Sequence, residues 1–181
     1  AVAIAKAVCQ EEGHGKVAAT LGPTGYFVEP LGEVSFAEML DIYMEQARAL
    51  AEAGPDYLIL ETFSDLGEMR AALMACRAVC DIPVICSLTY MKNNCSGGPE
   101  ELLAVIAELA AATELPLIVQ PNAGLPLVVE GAVRYPLGAE AFAQAMSRFL
   151  PYQVQFVGGC CGTTPEHIRL LKETVQGFVP E

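Results

Sequence analysis

The sequence predicts an α/β fold built on parallel strands. Three observations carry that reading: short apolar runs of strand length, segments of helical period alternating with them, and Gly, Asn, Glu and Cys gathered just beyond the runs. Near-continuous apolar strands that alternate with helices are expected to lie in a parallel sheet covered on both faces.

The elements follow in order. Residues 1–12 read as a helix stopped by Gly13. Residues 16–25, "KVAATLGPTG", read as a strand entering a Gly/Pro turn. Ser35 is the expected N-cap of the next helix, because Phe36, Met39, Leu40, Tyr43, Ala47 and Leu50 then recur at helical spacing. Residues 56–62, "DYLILET", form a strand, 65–79 a helix, and 82–90, "IPVICSLTY", a strand. A helix over 99–112 leads to a strand over 115–124, "LPLIVQPNAG". A helix over 139–149, a strand over 152–159 and a helix over 165–176 complete the chain.

Each of the five strands is followed by a helix, and the first helix has no strand before it. A (β/α)8 barrel takes eight strands and about 250 residues. The chain therefore reads as a single domain over 1–181, of (β/α)8 TIM-barrel type but incomplete. A doubly wound open sheet fits the count too, yet no G-x-G-x-x-G follows any strand. In either fold the chemistry belongs at the C-terminal ends of the strands.

Composition narrows the function. Ten Lys plus Arg against 22 Asp plus Glu leave a net charge of −12, which disfavours nucleic acid and anionic membrane surfaces as partners. No apolar run approaches the roughly 20 residues needed to span a bilayer. The opening "AVAIAKAVCQEEG" lacks the basic start of a signal peptide. Seven cysteines, an odd number, fit a reduced cytoplasmic setting in which thiols serve metals or catalysis. Only His14 and His167 are present, so a histidine metal site is not expected.

The chemical signal lies in "VGGCCGTTPEH", residues 157–167. Neighbouring strand residues point to opposite faces, so Cys160 and Cys161 can share a ligand only if the backbone turns. Gly158, Gly159 and Gly162 permit that turn. Thr164 reads as an N-cap and Pro165 as the first helical residue, and a helix N-terminus nearby favours thiolates. Two small buried thiols in a strand-to-helix turn, or a strained vicinal disulfide, are the alternatives. Cys95, in "NNCSGGPEELL", also stands at a strand end before a helix. Three thiolates suit a catalytic zinc that keeps its fourth position for substrate. On one tetrahedral zinc the sulfurs lie about 3.8 Å apart, and Cys95 is expected within about 5 Å of one of the pair. Cys9, Cys76, Cys80 and Cys86 are expected to be ordinary packed thiols.

Together "GPTG", "LILETFSD", "VICSLTY", "NCSGGPEELL", "VQPNAGLP" and "VGGCCGTTPEHI" resemble the homocysteine S-methyltransferase family. The likeness is greatest to the homocysteine-binding module of its cobalamin-dependent methionine synthase branch, and spans nearly the whole chain. It implies zinc-dependent methyl transfer to the thiol of homocysteine, giving methionine. Zn2+ would be held by Cys95, Cys160 and Cys161, with methylcobalamin on another module as donor. It also implies that Glu61 holds the substrate's amino group and that Asn122 reaches the substrate or the metal's fourth position. Cobalamin- and folate-binding modules of a larger protein would be partners. The family's first two strands are absent, and a helix and most of a strand are missing between "SLTYMK" and "NNCS". Three alternatives follow: a non-catalytic remnant of the barrel, a betaine- or S-methylmethionine-using relative, or a redox protein working through the cysteine pair.

Overall fold

The structure, a computed structural model, describes residues 1–89, 99–152 and 154–178, with side chains at 99–102 set aside. The chain divides into two compact units, Ala1–Asn94 and Cys95–Glu181. No helix among the described residues is long and apolar enough to cross a membrane.

The first unit holds three parallel strands in the order β1-β2-β3: Ala18–Leu21, Tyr57–Phe63 and Val84–Leu88. Helix α1 spans Val2–Glu12, α2 Phe36–Ala53 and α3 Leu66–Val79. Ser35 caps α2 as expected: its hydroxyl accepts from the Glu38 N–H, and the Glu38 carboxylate accepts from the Ser35 N–H. Asp65 caps α3 through the Gly67 N–H, 2.7 Å away. Leu58, Leu60 and Phe63 of β2 are fully buried with Met39, Tyr43 and Ala47 of α2 and Ala71, Ala72, Ala75 and Cys76 of α3.

The strands differ from expectation in one respect. β1 and β2 bury one face, not two: β2 alternates from Tyr57 (exposed) through Leu58 and Leu60 (buried) to Glu61 (exposed). The apolar character of "DYLILET" hides this alternation because Tyr57 and Ile59, on the open side, are themselves apolar.

A polar anchor lies inside this core. Glu68 is only 3% exposed, and one carboxylate oxygen accepts from the Thr24 N–H (2.7 Å), the Thr24 hydroxyl (2.7 Å) and the Tyr43 hydroxyl (2.9 Å). It ties the "GPTG" loop leaving β1 to helices α2 and α3. Burial, reinforced by the hydrogen bond to Glu68, holds the Tyr43 phenol far above its usual pKa range.

In the second unit β4 (Leu117–Val119) pairs in parallel with β7 (Val154–Val157), as the sequence predicts. Helices α4 (Pro99–Ala112), α5 (Ala139–Ser147) and α6 (Pro165–Gln176) also fall where expected. Leu103, Ile106, Val119, Phe142, Met146, Phe149 and Leu171 form its core. An antiparallel hairpin of β5 (Leu127–Val129) and β6 (Ala132–Arg134) was not anticipated. Its signal is "VVEGAV": Glu130 (φ 52) and Gly131 (φ 77) are the paired positive-φ residues of a two-residue hairpin turn.

Glu68→Ala leaves the Thr24 and Tyr43 donors without their buried acceptor and is expected to cost about 3 kcal/mol. Glu68→Gln, which keeps an acceptor, should lose less. Urea denaturation midpoints of the two variants check this order.

Candidate metal centre

The second unit brings Cys160, Cys161 and Asn122 together. Gly158 continues the β4–β7 ladder by donating to Val119 O at 3.0 Å. Past the strands, the Cys160 N–H donates to Pro121 O (3.0 Å) and the Ala123 N–H to Cys161 O (2.9 Å). The Asn122 side-chain oxygen accepts from the Cys161 N–H at 3.0 Å. Thr163 closes the turn, its N–H and its hydroxyl both donating to Cys160 O (3.2 and 2.7 Å). The backbone of the pair is thus fastened to the segment leaving β4.

This fastening puts both sulfurs on one side, 3.9 Å apart and exposed. A disulfide would hold them near 2.05 Å, so the pair is a dithiol. The separation matches the edge of a tetrahedral zinc–sulfur site, for which about 3.8 Å is expected. Two exposed sulfurs at that spacing therefore stand together just past the end of β7. Cys95 lies outside the described residues. Among the described residues no group of three or more His, Cys, Asp or Glu side chains is arranged to hold a metal.

The other thiols behave differently. Cys76 is fully buried, and burial, with the neighbouring Cys80 and Cys86 adding to it, pushes its thiol up to about 11. Cys9 and Cys80 are half-buried. Cys86 departs from the expectation of a packed thiol: it is exposed on β3.

Glu61 belongs to the first unit, exposed near the C-terminal end of β2. The next residue, Thr62, has φ 69, a conformation costly for a β-branched side chain, and the β2–β3 register shifts between Leu60 and Phe63. The distortion leaves two successive residues, Glu61 and Thr62, exposed at the strand end where a regular strand would turn one inward.

Sequence reasoning missed Tyr135 and His167. Tyr135 follows β6, and its ring occupies the space that a Cβ on Gly162 would need. Hydrogen bonding to the Cys161 side chain, then partial burial and the charge of the two cysteines, raises the Tyr135 phenol above its ordinary pKa. His167, buried in α6, accepts the Thr164 N–H at Nδ1 (3.2 Å) and so donates from Nε2 to Leu137 O (3.0 Å). Leu137 also donates to Ala123 O at 3.0 Å. Both bonds hold the 135–137 segment against the cysteine turn. Tyr135 has no local spacing signal, since it stands 26 positions before Cys161 in the sequence; His167 has one, three residues after the N-cap Thr164.

The family model for homocysteine S-methyltransferase matches residues 1–94 and 90–175, and the chain belongs to that family. Its fold is the α/β, parallel-strand type of the solved homocysteine methyltransferase MmuM from Escherichia coli. The apo form superposes with a TM-score of 0.66 at 23% identity, over 94% of this chain and 67% of that one. The metallated form gives 0.62 at 21% identity, over 93% and 65%. Methionine synthase of Mycobacterium tuberculosis (strain ATCC 25618 / H37Rv) is 30% identical over 203 residues, covering 92% of this chain. That of Mycobacterium leprae (strain TN) is 30% identical over 200 residues, covering 91%. The chain spans only 17% and 16% of the lengths of these two relatives. Both matches run over more residues than the 181 of this chain, so each relative holds residues in the matched region that this chain lacks.

Gly162, at φ +80 and under the Tyr135 ring, tolerates no side chain. Gly162→Ala is expected to lose about 1–3 kcal/mol from the backbone strain alone, with a lower melting temperature by circular dichroism as the readout.

Proposed function

We propose that this chain is the homocysteine-binding part of a zinc-dependent methyltransferase that converts homocysteine to methionine. The single observation that carries this is the exposed Cys160–Cys161 dithiol, its sulfurs 3.9 Å apart at the C-terminal end of a parallel strand. Membership of the homocysteine S-methyltransferase family supports the substrate. The metallated state of the MmuM relative supports a metal.

Cys160, Cys161 and Cys95 are the proposed ligands. Zinc, when bound, would lower the pKa of the homocysteine thiol so that the thiolate is the nucleophile near neutral pH. The residues of the chain do the rest. The Asn122 amide and the Pro121 and Ala123 backbone groups hold the cysteine turn rigid, so that little reorganisation accompanies ligation. Glu61, an exposed carboxylate at a strand end, complements the substrate's ammonium group. Methyl transfer to sulfur leaves a thioether, which is a weaker donor than a thiolate and favours product release.

The proposed methyl donor is methylcobalamin on another module, and the module a part of a larger cytoplasmic protein. The methionine synthase relatives, several times longer than this chain, support that setting. Residues 1–181 are then one partial (β/α)8 barrel domain. The family match, broken into two segments that meet at 90–94, supports a deletion there.

Two outcomes test the proposal. Cys160→Ala should abolish stoichiometric zinc, measured by metal analysis of the purified chain, while Cys76→Ala leaves it intact. Homocysteine binding should release about one proton per site near pH 7, because the free thiol is mostly protonated there. Calorimetry in buffers of different ionisation enthalpy reads that proton, and a heat independent of buffer contradicts thiol activation.

A further inference from the structure

β2 breaks its alternation at its C-terminal end. Its register against β3 runs from Leu60 opposite Cys86 to Phe63 opposite Leu88, so Glu61 and Thr62 together face the single residue Ser87. A regular strand would turn Thr62 toward the helices and Phe63 to the open side. The extra residue reverses this. Phe63 is fully buried, its ring 5.9 Å from that of Tyr43, while Glu61 and Thr62 are both exposed. Thr62 holds the bulge at φ 69, a left-handed conformation that a β-branched side chain resists. The strain is fixed from the far side as well. Pairing with β3 resumes beyond it, where the Thr89 N–H donates to Phe63 O at 2.7 Å, and Asp65 caps α3 through the Gly67 N–H at the same distance. Burying Phe63 requires the positive φ but not the threonine, since glycine adopts that angle without steric cost. The Thr62 side chain is thus more than the packing asks for. It is exposed beside a carboxylate, at the strand end where parallel α/β folds bind ligands and where such strain collects.

We propose that Thr62 is a specificity-determining residue of the substrate site, its hydroxyl oxygen accepting a hydrogen bond from the α-ammonium group that Glu61 neutralises. The inference rests on the reading of Glu61 given under Proposed function and adds a second acceptor to it. An ammonium carries three donors, and a carboxylate with a hydroxyl beside it recognises their direction as well as their charge.

The test measures, by calorimetry on the zinc-loaded full chain, the affinities for homocysteine and for 4-mercaptobutanoic acid, which is homocysteine without its amino group. Thr62→Val keeps the β-branched shape and the strain and removes only the hydroxyl. It is expected to weaken homocysteine about tenfold, the order of a hydrogen bond to a charged group, and to leave the analogue unchanged. Thr62→Ser, which restores the hydroxyl, should bind homocysteine as the wild type does. Thr62→Gly should lose the same preference for homocysteine over the analogue while melting no lower than the wild type, because it relieves the strained angle. An unchanged preference in Thr62→Val overturns the inference. So does an equal loss for both ligands, or a lower melting temperature in Thr62→Gly, either of which would make the threonine a structural residue only. Glu61→Gln separates the two readings: a preference lowered there but not in Thr62→Val removes Thr62 alone. A preference untouched by Glu61→Gln, or a wild-type chain that binds neither thiol, overturns the underlying reading and the inference with it.

Discussion

The cysteine site depends on one set of hydrogen bonds, those that carry the β4–β7 pairing past the ends of the strands. Gly158 donates to Val119, Cys160 to Pro121, and Ala123 to Cys161, so the ladder continues into a turn that is no longer strand. A Gly-Gly-Cys-Cys-Gly segment has little conformational preference of its own and loses much backbone entropy on ordering. Each bond contributes about 1 kcal/mol net, and no one of them would fix the turn. Acting together, with Asn122 on the Cys161 N–H, they settle which side of the backbone each sulfur occupies.

The first unit follows the same principle with a different anchor. The loop leaving β1 contains Gly22, Pro23 and Gly25 and is pinned from below by the buried carboxylate of Glu68. A buried carboxylate is tolerated where several donors satisfy it, and Thr24 and Tyr43 supply three. In both units the helices and strands provide a frame, and the loops at the strand ends are made definite by polar contacts beneath them. Such loops hold functional groups with little freedom to drift, which is what metal ligation and substrate binding require.

The open faces of the strands are a consequence of the same frame. β2 and β4 each turn one set of side chains toward the helices and leave the other exposed, including Ile118 at 41% and Phe156, on β7, at 58%. Glu61 lies on such an exposed side, close to the strained Thr62. A carboxylate placed there keeps its hydration until a cation displaces the water. Had it pointed to the helix-covered face, it would have needed buried partners of the kind Glu68 has.

What the sequence determined is what local chemistry determines. Helix starts at Ser35, Asp65 and Thr164, the helix stop at Gly13, the parallel strand-helix alternation and the turn at the paired cysteines are all written in runs of a few residues. Capping, periodicity and glycine conformation act over that range. The Glu130-Gly131 hairpin was equally local, and legible from its turn residues. Only the tertiary structure decided which face of each apolar strand is covered, that Glu68 of a first helical turn points inward, and that the Tyr135 ring rests over Gly162. Apolar residues on both sides of a strand carry no mark of which side a helix will cover. Tyr135 meets Gly162 through the pairing of β4 with β7 and the anchoring of Leu137 by His167. Contacts between residues so far apart in the chain follow from the packing of whole elements, and no short spacing encodes them.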